Sequence, residues 1–134
     1  MDTITHLPDI LRNLSPKLNE TFYVFCTVKE NNTGKLYEKA IMHFKEDEGH
    51  TFIFEKSVAD ELKLAYKSLF RKITLEVYSD LHSVGLIAAI SNLLAENGIS
   101  VNPVSAYYHD HLFIPDLQAD KAFMLIKSIG IKNL

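Results

Sequence analysis

Between residues 73 and 97 the hydrophobic period changes, and that change limits the fold more than any other feature. Ile73, Leu75 and Val77 alternate with Thr74, Glu76 and Tyr78, the twofold period of a half-buried strand. From Leu86 the period lengthens, and Leu86, Ile87, Ile90, Leu93 and Leu94 make one face of an amphipathic helix. Asn97-Gly98 ends that helix, because glycine tolerates the left-handed backbone of a C-terminal cap. Ile99 to Val104 and Leu112 to Ile114 read as two further strands. A last helix opens at Asp116 or Leu117, with Ala119, Ala122, Phe123 and Ile126 on one face. The order β-α-β-β-α predicts an α+β unit.

The first half is less regular. Leu7, Ile10, Leu11 and Leu14 give a short helix stopped by Ser15-Pro16. Phe22 to Val28, dense in aromatic and β-branched residues, predicts a buried strand. Asn31 to Gly34 is a turn, and Leu36 to Phe44, with Ala40, Met42 and Phe44 on one face, predicts the returning strand of a hairpin. Lys45 to His50 is a charged turn and Thr51 to Phe54 a third strand. Ser57 is read as a helix N-cap, with Asp60 completing a capping box and the helix running to about Tyr66. That half reads α-β-β-β-α. Only Lys67-Ser68 separates it from the second, and two halves of about 65 residues each would be marginal alone. They are expected to share strands or a face.

Composition narrows the function. Of 134 residues 47% are apolar and 23% charged, which suits a globular chain and excludes a disordered one. A net charge of −3 argues against a nucleic-acid partner. The longest apolar stretch, Val84 to Ile90, is far short of the roughly 20 residues of a membrane span, and Met1 to His6 lacks a basic, apolar leader. With Cys26 as the single cysteine, no intrachain disulfide or two-cysteine metal cluster can form. The expectation is a cytoplasmic protein with no membrane partner.

Three segments carry chemistry-bearing residues. Ser79-Asp-Leu-His-Ser-Val-Gly-Leu86 joins a strand to a helix. The first turn of a helix has unpaired N–H groups that suit a carboxylate, while Asp80 can receive an ammonium group, so a zwitterionic amino acid fits the loop. The alternative is that Asp80 or Ser83 caps the helix and Gly85 is a packing residue. His109-Asp-His111 invites a metal reading, because both imidazoles would share a strand face, but two histidines and one carboxylate leave a zinc shell incomplete unless His43, His50 or His82 joins them. A polar turn is the alternative, and no metal or other cofactor is expected. Glu46-Asp-Glu48 lacks the ligand spacing of a calcium loop and reads as a solvated turn. Cys26, inside an apolar strand, reads as a buried, inert thiol. Dinucleotide, Walker, zinc-protease and hydrolase-elbow motifs do not occur.

Ile73 to Ile90 resembles the opening strand, ligand loop and first helix of ACT domains, and Glu96 to Asn102 the helix end and second strand. More specifically, Lys45 to Thr51, Leu81 to Ile90 and Ser105 to Pro115 are together similar to a family of small bacterial ACT-domain proteins, predicted regulators of amino-acid metabolism. The resemblance covers nearly the whole chain. It implies two tandem ACT-like, ferredoxin-like units, residues 1–67 and 68–134, with antiparallel sheets and helices packed on one face. It implies amino-acid binding and not catalysis. Carried over, the ligand loop is Asp80, Leu81, His82, Ser83, Val84, Gly85 and Leu86, with Asn102 on the facing strand and His109, Asp110 and His111 at the border. The first half lacks the strand-loop-glycine-helix signature. The enzyme domain usually attached to such units is not expected here, which implies regulation of a partner enzyme. Uncovered sheet edges lead to the expectation of a homodimer. Two other readings remain: a metal-dependent enzyme using His109, Asp110 and His111, and a purely structural dimerisation module.

Overall fold

In the computed structural model, which describes residues 6–31, 33–77 and 84–132, the elements follow one another in this order. Helix α1 (Leu7–Arg12) precedes strands β1 (Ser15–Leu18) and β2 (Tyr23–Val28). Helix α2 (Gly34–Lys39) leads to β3 (Met42–Lys45), β4 (His50–Glu55) and α3 (Lys56–Glu61). Strand β5 (Phe70–Glu76), helix α4 (Leu86–Glu96), β6 (Asn102–Ser105) and β7 (Asp110–Pro115) come next. A single 3₁₀ turn (Asp116–Gln118) opens α5 (Ala119–Lys132).

Contacts divide the chain into two units, residues 21–70 and residues 1–20 with 71–134. The first twenty residues group with the last sixty-four. The reason is β1. Ser15 to Leu18 pair antiparallel with Glu76 to Ile73, so a strand from the start of the chain completes a sheet built from its end. Ser15-Pro16 therefore does more than stop a helix: α1 ends at Arg12 on an Asn13 cap, and Ser15-Pro16 opens the edge strand.

In the discontinuous unit the strands lie in the order β1-β5-β7-β6, with β6 and β7 antiparallel. Ile73 and Leu75 of β5 and Leu112 and Ile114 of β7 point to one face. There α1, α4 and α5 bury Ile10, Ile90, Leu94 and Ile126 against them. Alternation in the strands and the longer period in the helices meet in one aliphatic core. Helix α4 ends as expected. Gly98 has φ +70°, its N–H donates to Ala95 O at 3.0 Å, and the Ile99 N–H donates to Leu94 O at 2.9 Å. These two bonds are a Schellman motif, which satisfies carbonyls the helix would leave unpaired. The second strand of the chain's second half starts at Asn102, later than the Ile99 start that its apolar residues suggest, because Ile99 packs in the core as part of the cap.

In the 21–70 unit β4 lies between β3 and β2, antiparallel to both. Val24, Cys26, Phe52 and Phe54 form its core with Ala59. The predicted strand from Leu36 to Phe44 is corrected here: its first part is helix α2. The N–H groups of Leu36 and Tyr37 donate to Thr33 O at 2.9 and 3.2 Å, and Ala40 donates to Leu36 O at 3.0 Å. Leu36 and Ala40, one helical turn apart, pack on the core, so tertiary contact sets the conformation and the two-residue alternation is coincidental. The predicted capping box at Ser57 is also corrected. Helix α3 starts at Lys56 on a Glu55 cap that makes no side-chain bond, and it ends before Leu62, with Lys63 at φ +57°. Asp60 instead accepts from Lys56 Nζ at 2.7 Å and Tyr66 Oη at 2.6 Å. Those bonds hold its carboxyl below the usual range, Lys56 contributing most. No described helix is long and apolar enough to cross a membrane.

Candidate functional site

Four of the expected loop residues, Asp80, Leu81, His82 and Ser83, lie outside the described residues. The structure does describe the end of that loop. Val84 is 82% exposed, Gly85 is the N-cap of α4, and Leu86 is buried in the aliphatic core. Leu86 therefore offers a ligand its backbone and not its side chain. The same holds for Gly85. Its φ of +104° is left-handed, and a Cβ there would lie 2.9 Å from Leu7 Cδ2. The space beside this glycine belongs to α1, so the residue has a packing role whatever else its backbone does. The N–H of Ala89 donates to Gly85 O at 2.9 Å, the first bond of the helix. A glycine cap has no side chain to give the first-turn N–H groups of α4, which leaves them for another acceptor.

Asn102 sits on β6, half-buried, and its Nδ2 donates to Phe113 O at 3.2 Å across the β6–β7 pair. His111, on β7, presents Nδ1 to Thr74 Oγ1 of β5 at 2.9 Å. Thr74 and His111 lie on the sheet face opposite the helices, because their neighbours Ile73, Leu75 and Leu112 are the core residues. Burial pushes the His111 imidazole below its ordinary range, and the charge of Lys72 and the nearby His109 add to this; Asp110 opposes it. His111 is held in place by its hydrogen bond with Thr74. The His109 and His111 rings are 6.4 Å apart and nearly perpendicular at 84°. Among the described residues no three His, Cys, Asp or Glu side chains converge as a metal shell would require.

Elsewhere the chain holds a cluster whose two histidines the sequence reading considered only as additions to a metal shell and did not pair with each other. His43 Nε2 and His50 Nδ1 are 2.8 Å apart across the β3–β4 hairpin, their rings stacked at 5.1 Å. Tyr37 meets His43 edge-on at 4.3 Å and Phe52 at 5.8 Å. Burial lowers the His43 pKa, with the neighbouring His50 adding to the effect. The signal was present as two histidines on either side of a charged turn, in strands that pair Lys45 with His50 and His43 with Phe52. Cys26 is buried, and burial pushes its thiol up, away from nucleophilic use.

Two ACT-domain models match the chain, over residues 2–71 and 67–128. A search of curated proteins gave no match. Among solved structures, a Vibrio cholerae protein of unknown function, described as a possible transport protein, is 39% identical. It covers 92% of this chain and 95% of its own, with a TM-score of 0.83. An Agrobacterium tumefaciens protein superposes at a TM-score of 0.69 with 14% identity, covering 88% of this chain and 90% of its own. The ligand-free regulatory subunit of aspartate kinase from Thermus thermophilus superposes at 0.66 with 11% identity, covering 87% of this chain and 97% of its own. At such identities the likeness is one of fold.

Proposed function

The chain belongs to the ACT-domain family, and from that premise we propose that it is a regulatory, non-catalytic module that binds an amino acid at the start of α4. The site is the loop Asp80, Leu81, His82, Ser83, Val84, Gly85 and Leu86, with Asn102 beside it and His109, Asp110 and His111 at its border. The observation that supports this reading most is the beginning of α4. A helix of eleven residues starts at a glycine that gives its first-turn N–H groups no side chain, directly after the segment that carries Asp80. In this reading those N–H groups hold the ligand carboxylate and Asp80 receives its ammonium. Leu86 and Gly85 contribute main chain only, since Leu86 is buried and Gly85 faces Leu7.

Binding acts by differential affinity: the ligand favours one arrangement of the protein, and a partner enzyme reads the result. The aspartate kinase regulatory subunit of similar fold supports a role exerted on another chain. The proposal includes a cytoplasmic homodimer, and two halves, residues 1–67 and 68–134, each derived from one ACT domain.

Calorimetry with the common amino acids tests the site. One of them should bind at millimolar concentration or below. Asp80→Asn should weaken it by roughly 30-fold, the effect of losing one partner of a charged hydrogen bond. Without ligand the melting temperature should not move, because asparagine caps a helix about as well as aspartate. Absence of binding by every common amino acid at millimolar concentration sinks the reading, and a light-scattering mass near 15.2 kDa sinks the dimer.

A further inference from the structure

The 21–70 unit contains a cavity of about 530 Å³ that the proposed loop site does not use. It lies on the face of β2 that carries Phe25 and Thr27, and reaches from Thr51 of β4 to residues 65–70. Strand β2 meets β5 in register only where Tyr23 pairs with Phe70. Ala65 to Ser68, which lead into Phe70, line the other side of the cavity. Its volume falls in the range of small-molecule sites.

The lining states what it would take. Phe25 and Phe70, edge-to-face at 5.0 Å, form an apolar wall that Ala65 extends. Two of the polar side chains are committed: the Thr51 hydroxyl donates to Glu46, and the Tyr66 hydroxyl to Asp60. What remains is the ammonium of Lys67, the hydroxyls of Ser68 and Thr27, and the edge of β2. The Lys56 N–H donates to Phe22 O at 2.8 Å, which turns the backbone groups of even-numbered β2 residues toward β4. Alternation along an antiparallel strand then turns the N–H and C=O of Thr27 toward the cavity. No carboxylate lines it.

We propose that this cavity is a second ligand site, for a small apolar carboxylate that lacks an α-ammonium group, such as a branched aliphatic acid or its 2-oxo form. The hydrocarbon part packs on Phe25, Phe70 and Ala65. The carboxylate accepts from Lys67, Ser68 and the Thr27 N–H. An ammonium beside that carboxylate would face the Lys67 charge, and the carboxylates nearest the lining, Glu46 and Asp60, already accept from Thr51 and from Tyr66 and Lys56, so the free amino acid is disfavoured. The site thus separates an acid from the amino acid of the same carbon skeleton, which the loop at α4 does not.

Titration of the full-length, isotope-labelled protein with 4-methylpentanoate, leucine and 4-methylpentanol tests this by amide shifts. The acid should move Thr27, Lys67 and Ser68 saturably at millimolar concentration, and leucine and the alcohol should bind there at least about tenfold more weakly. Lys67→Met should weaken the acid about tenfold without altering the melting temperature, since Lys67 is exposed. Ala65→Trp, which fills the cavity from an exposed position, should abolish the shifts. Asp80→Asn should leave them unchanged, so failure at the α4 loop and failure here are separable. Absence of saturable shifts at these residues, leucine binding there as tightly as the acid, or indifference to Lys67→Met would overturn the proposal.

Discussion

The two units bury different materials. The discontinuous unit packs aliphatic side chains, among them Ile10, Ile73, Ile90, Leu94, Leu112 and Ile126, under helices of eleven and fourteen residues. The 21–70 unit relies on Phe52 and Phe54, stacked at 5.5 Å, under two helices of six residues each. A six-residue helix is under two turns and has almost no stability of its own. In the first unit sequence pattern and packing each favour the helices. In the second, packing alone makes them, and a few aromatic rings hold them in place. The smaller core should therefore depend more on each of its members.

Truncating Phe52 is the severest test of that difference. Phe52 is fully buried and touches Tyr37, His43 and Phe54. Phe52→Ala should cost about 3–5 kcal/mol, against about 2–5 kcal/mol for Ile90→Ala in the aliphatic core. Hydrogen exchange should show α2 and α3 losing protection while α4 and α5 keep theirs. Loss of protection in all four helices at once would erase the distinction.

A smaller effect probes the aliphatic unit where its backbone is least ordinary. Gly85→Ala places a Cβ at φ +104°, 2.9 Å from Leu7 Cδ2. Left-handed strain alone costs about 1–3 kcal/mol. Leu7→Ala in the same chain should recover the steric part and leave the conformational part, a non-additivity that a double-mutant cycle in urea reads directly. Full additivity would mean that Leu7 yields freely.

The mildest test sets a histidine of one unit against a histidine of the other. His43 and His111 both have lowered pKa values in the folded chain, burial being the first cause in each case. The unfolded chain, with imidazoles near the ordinary value of about 6.5, therefore binds more protons as pH falls. Stability should be full above about pH 7 and decline through about pH 6 and below. His43→Gln should flatten the response of the 21–70 unit, read by exchange at β3 and β4, and leave that of β7 intact. A stability that rises on acidification would reverse the sign and refute the burial argument.

How legible each part was follows the same division. The strand at Ile73 to Val77, the helix from Leu86 and its Gly98 cap could be read directly, because period, cap and packing agree there. Leu36 to Ala40 could not. Leu36 and Ala40 pack on the core one turn apart, and too few turns exist to display a period. The capping box failed at Ser57 because Asp60 had a better use for its charge, shared between Lys56 and Tyr66. Asn102 and His111 were legible as polar residues on strands, but their partners, Phe113 O and Thr74, depend on register across β7. The His43–His50 contact likewise exists only once the hairpin fixes which strand positions meet.

Strand β1 carries a consequence for how the chain is made. Its partner β5 leaves the ribosome only after the entire 21–70 unit has been synthesised between them. The edge of the discontinuous sheet is thus a long-range pairing, slow to close because the intervening loop must first be brought together. A nascent chain released or stalled before residue 76 would carry Ser15 to Leu18 with no strand to meet, beside a 21–70 unit whose own strands are all present. Domains emerging earlier fold earlier, so in this protein the inserted segment has the first opportunity to fold and the terminal segments must wait for each other.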